Sequence, residues 1–183
     1  MIEESKINLE EYLTIEPSTS NKEVFSVVEE SLHENWGFQW AIFNKLQLDS
    51  YNGSSETKSR LLNQSELVKE NFKDKVVLEI GAGNGRFTEV LLEFGAKVIA
   101  IDYSSAIYAN IDNHAESVKK GDLLCVRADI FNLPIKKSVF DIVIAYGVIQ
   151  HTGDNKRCLN LLSSYVASRG ILLIDIYSNS LRH

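Results

Sequence analysis

Glu79 stands in an apolar run, Val77-Leu78-Glu79-Ile80, directly before the turn Gly81-Ala82-Gly83-Asn84-Gly85. Three glycines in five residues give the backbone access to positive φ and let a ligand approach the main chain closely. An acid just before such a turn repels a phosphate and favours a ligand that carries a cationic group or hydroxyls. A second acid, Asp102, closes the next apolar run 21 positions after Gly81. Acids so placed in nucleotide-type folds accept hydrogen bonds from ribose hydroxyls. Further along, the run over 140–145 is followed by Tyr146, Gly147, Gln150, His151 and Thr152. His151 has the chemistry of a general base, since an imidazole titrates at about 6.5. Gln150 is the other catalytic candidate. Either residue could instead serve only to hydrogen-bond its own loop.

These side chains need a scaffold that brings strand ends together. Continuous apolar runs predict strands over 75–80, 97–101, 122–128, 140–145 and 171–176. Helical periodicity predicts helices between them over 84–94, 104–118 and 154–167, with Gly95 ending the first and Ser104 or Ser105 capping the second. Strands that alternate with helices and are apolar throughout imply a parallel sheet covered on both faces. The fold class is therefore α/β, a doubly wound, mostly parallel three-layer sandwich. Ahead of it, residues 1–22 read as a loosely held arm. Helices are expected over 23–34 and 54–72, the latter with Leu61, Leu62, Leu67 and Val68 inward. The division is an N-terminal arm and helical lid segment over 1–72 and a ligand-binding core over 73–183.

Composition narrows the function. The chain has 183 residues, 44% of them hydrophobic, and a formal net charge of −6. That balance disfavours a nucleic-acid partner, which needs clustered Lys and Arg. No apolar run approaches the length of a membrane span, and the acidic N-terminus is unlike a secretory signal, so a soluble cytoplasmic protein is expected. Cys125 and Cys158 are expected to be reduced thiols, and no Cys/His spacing suggests a metal.

Four stretches, VLEIGAGNGRFT, VIAIDYS, RADIFNLPI and FDIVIAYGVIQHT, together resemble a class I S-adenosylmethionine-dependent methyltransferase over roughly residues 75–177. The resemblance implies that the cofactor's methionine part passes over Gly81, Ala82, Gly83, Asn84 and Gly85, with Glu79 helping to place its amino group. It implies that Asp102 holds the ribose, Tyr103 packs on the adenine, and Asp129 and Ile130 contact the adenine edge. Tyr146 and Gly147 would close the pocket near the sulfonium. Phe38-Gln39-Trp40 and the residues through Asp49 are similar to a segment of type-11 small-molecule methyltransferases. By that resemblance Gln39 and Trp40 lie in a lid, although the aromatic residues could equally be a hydrophobic plug. The implied activity is methyl transfer to a small-molecule acceptor. The family's sheet has two further strands after 171–176, which the chain lacks. The last strand is then a bare edge, so the chain is either cut from a longer protein or covered by a second copy.

Two rival functions remain at this point. A non-catalytic S-adenosylmethionine-binding subunit would share every motif. An NAD-dependent oxidoreductase requires a third glycine to pack helix against strand, and Arg86 occupies that position.

Overall fold

Alternate residues of a strand face opposite sides, so a strand that is apolar at every position must be covered twice. Val76–Ile80 is covered on both faces, all five residues buried and only Glu79 among them polar, and it lies inside the sheet. The computed structural model describes residues 7–14, 24–26 and 45–176. Six parallel strands form one sheet: β1 Val24–Ser26, β2 Val76–Ile80, β3 Lys97–Asp102, β4 Leu123–Arg127, β5 Phe140–Ala145 and β6 Val166–Ile174. Their order is β1-β4-β3-β2-β5-β6. The chain winds outward from β2 through β3 to β4, then returns to place β5 on the other side of β2. That reversal falls between β2 and β5, and in open α/β sheets ligands bind in the crevice at the carboxyl ends of the strands flanking such a point.

The described α-helices are α1 Asp49–Asn52, α2 Glu56–Ser65, α3 Arg86–Glu93, α4 Ala106–Asn113, α5 Ala115–Lys120 and α6 Asn155–Tyr165, with short 3-10 turns at Leu9–Tyr12, Lys69–Asn71, Ile130–Asn132 and Ile149–His151. One face of the sheet, with Val77, Val98, Ala100 and Ile142, packs on Leu61, Leu91, Ile107 and Ile111. The other face, with Leu78, Ile99, Val126 and Val143, packs on Cys158, Leu162 and Tyr165. Gly95 ends α3 in the left-handed conformation (φ 83°), and Ala96 N–H donates back to Leu91 C=O at 3.0 Å, closing a Schellman motif. Asp141, at the start of β5, accepts from Val76 N–H at 3.0 Å and so ties β2 to β5. Both cysteines are buried free thiols.

Several sequence expectations need correction. Residues 24–26 form a parallel edge strand on β4 rather than part of a helix over 23–34, in keeping with the β-propensity of Val24 and Phe25. The described part of the arm is not loose. Leu9 and Leu13 are buried in the core, Leu13 bridges Ile135, and Thr14 N–H donates to Pro134 C=O at 2.8 Å. The helix expected over 54–72 stops at Ser65 because Glu66 turns left-handed (φ 57°), which leaves Val68 exposed. The helix expected over 104–118 breaks at His114. Its backbone is non-helical (φ −125°, ψ 30°), and its ring turns back onto Asn110. The last strand begins at Val166, immediately after α6, and Arg169-Gly170 bulge outward before pairing with β5 resumes at Ile171.

Candidate functional site

The glycine turn hangs from the end of the neighbouring strand. Gly81 N–H and Ala82 N–H both donate to Ile101 C=O, at 2.8 and 3.0 Å. Each glycine answers a different demand. At Gly81 (φ 72°) a Cβ would lie 2.2 Å from Val148 Cγ2, because the loop after β5 crosses directly over it. At Gly85 (φ 95°) a Cβ would lie 2.5 Å from both Asn110 Oδ1 and His114 Cε1. At Gly83 (φ 54°) no atom of the described residues lies within 4 Å of where a Cβ would stand, so the turn presents bare backbone on that side. Gly85→Ala is expected to cost roughly 2–4 kcal/mol of stability, from the left-handed backbone and the overlap with α4. Gly83→Ala should cost about 1 kcal/mol, the backbone effect alone. Urea unfolding checks both; equal stabilities would mean that α4 does not approach Gly85 so closely.

Beneath the turn runs a buried polar chain. Thr88 Oγ1 donates to Glu79 Oε2 at 2.6 Å and accepts from Asn110 Nδ2 at 2.9 Å. His114 Nδ1 lies 3.0 Å from both Asn110 O and Asn110 Oδ1, two acceptors, which places the proton on that nitrogen. Burial pushes the Glu79 carboxyl up to about 8, with the Asp102 charge adding to the shift and the Thr88 hydrogen bond opposing it. Glu79 is therefore protonated at neutral pH in the free protein. Burial also lowers the pKa of His114, which keeps it neutral.

Asp102 lies across the top of the turn. Its Oδ2 accepts from Gly83 N–H at 2.8 Å, and its Oδ1 accepts from Ser104 N–H at 2.8 Å and Ser104 Oγ at 2.7 Å. A carboxylate offers about four acceptor positions, so one on Oδ2 stays open and a second opens when the Ser104 hydroxyl rotates away. Tyr103, next along, is exposed. Asp129 follows β4 and spends Oδ1 on Phe131 N–H at 2.9 Å, capping the short turn Ile130–Asn132. The carboxyl ends of the adjacent strands β4, β3, β2 and β5 thus carry Asp129, Asp102, Glu79 and Tyr146 in spatial sequence.

Beyond β5, Tyr146 is buried, and its ring meets Phe87 edge-on at 5.2 Å between centroids. Gly147 is left-handed (φ 73°) and has open space where a Cβ would stand. Both amide atoms of Gln150 are buried with no hydrogen-bond partner among the described residues. His151 is exposed at the end of the turn Ile149–His151. Gln39 and Trp40 lie outside the described residues.

The sequence did not single out Thr88, Asn110 or His114 for the site; His114 reads from sequence as a surface residue, whereas it is half-buried. The available signal was a polar residue on an apolar stripe: Thr88 is three before Leu91, and Asn110 three after Ile107. Asp49 was also missed. It accepts from Thr57 N–H at 3.1 Å and Lys58 N–H at 3.0 Å, capping α2 from outside the helix. Burial works to raise its pKa, but those two bonds with the hydroxyls of Thr57 and Ser54 outweigh burial and leave it lowered.

A family model described as a methyltransferase domain matches residues 78–174, from the middle of β2 to the end of β6. The chain belongs to that methyltransferase-domain family. S-adenosylmethionine is the cofactor associated with it. A tRNA U34 carboxymethyltransferase of Ruthia magnifica is 34% identical over 109 residues, 56% of this chain and 33% of that protein. A ubiquinone biosynthesis O-methyltransferase of Coxiella burnetii is 25% identical over 148 residues, 78% of this chain and 62% of that protein. The chain therefore spans between a third and two thirds of these relatives. A solved structure from Methanococcus maripaludis, named for S-adenosyl-L-methionine-dependent methyl transfer, shares the fold with a TM-score of 0.61 at 15% identity, covering 80% of this chain and 67% of that one.

The crevice suits such a cofactor. Asp102 keeps acceptor capacity for hydroxyls beside Gly83 N–H, and Glu79 supplies a carboxyl under the same turn. Among the described residues, no group of His, Cys, Asp and Glu could hold a metal, and no helix is long and apolar enough to cross a membrane.

Proposed function

We propose that this chain binds S-adenosylmethionine at the carboxyl ends of β2 to β5 and takes part in methyl transfer to a small-molecule acceptor. The observation that carries the reading is the placement of Asp102 over the bare backbone of Gly83, beside the buried acid Glu79. The cofactor brings an already activated methyl group, so the chain's task is alignment and exclusion of water. In this reading Asp102 accepts from the ribose, Tyr103 covers the adenine, and Asp129 and Ile130 meet its edge. Glu79 faces the amino group, and the Tyr146 and Phe87 rings wall the methionine end, an aromatic surface suited to a cation. The buried Gln150 amide, without a hydrogen-bond partner among the described residues, is available to orient the acceptor, and His151 to take a proton from it.

A small acceptor is favoured over RNA by the net charge of −6, since a polyanion needs a basic face. An oxidoreductase is disfavoured at Arg86. Its guanidinium Nε donates to Thr57 Oγ1 at 2.9 Å, and that side chain fills the place a third glycine would leave empty. Calorimetric titration with S-adenosylmethionine, S-adenosylhomocysteine and NADH tests the reading. Micromolar binding of both adenosyl ligands and none of NADH is expected. NADH binding alone would overturn it.

A further inference from the structure

One polar cluster lies beside the crevice without belonging to the residues placed on the cofactor. Arg60, on α2, forms an ion pair with Asp175, just past the end of β6. The other Asp175 oxygen, Oδ1, accepts the N–H of Gly147. The Arg60 guanidinium stands 5.7 Å from the centroids of both the Phe87 and the Tyr146 rings, which themselves meet edge-on. Asp175 is well covered, its side chain only 17% exposed. Two side chains of α2 therefore reach the two loops placed on the cofactor. Thr57 holds Arg86 next to the glycine turn, and Arg60 works through Asp175 on the turn after β5.

The physical consequence concerns Gly147. A left-handed glycine is the freest point of a chain, and among the described residues nothing lies within 4 Å of where a Cβ of this one would stand. The bonds that fix its peptide are what decide where Tyr146 and the following Val148 stand. A carboxylate acceptor gives the stronger, charge-assisted kind of bond, and the Arg60 guanidinium pairs with its other oxygen.

We infer that Arg60 and Asp175 are positioning residues that clamp the Tyr146–Gly147 turn in the geometry that receives the cofactor. The inference rests on the placement of Tyr146 and Gly147 in the cofactor pocket proposed above. Neither residue touches the reacting atoms in this scheme; Arg60 acts on the pocket through Asp175 and through the two rings.

The test is the affinity of the whole chain for S-adenosylhomocysteine, read with the Gly147 amide resonance by NMR. Asp175→Ala should weaken binding about tenfold, the loss of one charge-assisted hydrogen bond, and move the Gly147 amide proton upfield. Asp175→Asn retains an acceptor for that N–H and should recover most of the affinity. Arg60→Met should weaken binding while leaving the Gly147 bond in place. Lys97→Met is the control. It breaks the 2.6 Å Lys97–Asp122 pair at the far end of the sheet and should leave affinity unchanged, which separates a local effect from general destabilisation. If Asp175→Ala does not fold, Asp175→Asn and Arg60→Met decide the question. Wild-type protein that binds the ligand, with variants that bind it equally well, overturns the clamp and leaves the pocket assignment standing. Wild-type protein that binds none removes the pocket assignment and the clamp with it.

Discussion

Asp102→Ala is expected to raise the dissociation constant for S-adenosylhomocysteine at least tenfold and to destabilise the free protein as well. The binding effect follows from losing acceptors for ribose hydroxyls, at about 1.5–3 kcal/mol for each charge-assisted bond. The stability effect follows from a second role that the free protein shows. The carboxylate already accepts from Gly83 N–H and from both polar groups of Ser104. Removing it leaves those donors to water and frees the turn, a loss of about 1–3 kcal/mol. Asp102→Asn should not rescue the protein. One amide oxygen can serve Ser104 or Gly83 but not both, and the NH2 group then faces a donor. Ser104→Ala separates the two roles, since it removes a turn contact and frees Oδ1 for ligand. That variant should lose some stability and bind no worse. Calorimetry for affinity and thermal unfolding for stability read both effects. An Asp102→Ala protein that is less stable but binds normally would make Asp102 a turn-holding residue and remove it from the ribose.

The sheet was legible where strands are buried on both sides. Phe140–Ala145 coincides residue for residue with the apolar run that predicts it, because a central strand has no solvated face to confuse the pattern. Legibility fails where tertiary contact overrides local preference. Val166 belongs to the helical stripe by spacing, yet it starts β6, because Tyr165 ends α6 in the core and Phe140 offers a ladder partner. His114 continues a helical pattern, yet breaks it in order to reach Asn110. Leu9 and Leu13 sit in a polar arm whose docking depends on partners more than 100 residues away, which no local window contains.

The site divides along the same line. Glu79 and Asp102 were visible because an acid at the end of an apolar run is conspicuous, and because their separation fits two neighbouring strands. Their partners were not. Thr88 and Asn110 look like mild interruptions of amphipathic helices, and only the fold shows that both are fully buried and joined to Glu79. Asp175 and Arg60 lie 115 positions apart, so the sequence offers no reason to pair them. Asp129 caps the short turn Ile130–Asn132 through Oδ1, a local role that the position of an acid two residues before Phe131 permits.

Glu79→Gln is expected to remove a pH dependence from both stability and binding. The folded protein holds the Glu79 proton to about pH 8, whereas the unfolded chain releases it in the ordinary carboxylate range. Between those values the native state binds more protons than the unfolded state, so stability falls as pH rises. The contribution is complete below the ordinary carboxylate range and is lost as pH climbs through about 8. At about 1.4 kcal/mol per unit, reduced by relaxation around the ionised group, the loss is of order 2–5 kcal/mol. Glutamine imitates the protonated acid and should still accept from Thr88, so the variant should be as stable as wild type near pH 5 and more stable above pH 8. Other carboxylates titrate in acid, Asp49 among them, so the informative quantity is the difference between the two proteins. Binding should move in the opposite direction. A ligand ammonium group beside Glu79 favours the ionised form, so wild-type affinity for S-adenosylhomocysteine should rise from pH 6 to pH 8 with release of a proton. Calorimetry in two buffers of different ionisation enthalpy measures that release directly. Glu79→Gln should bind more weakly at pH 8 and release none. Equal proton release from both proteins would mean that the acid buried under the glycine turn does not meet the ligand's cation, and that its role ends at Thr88.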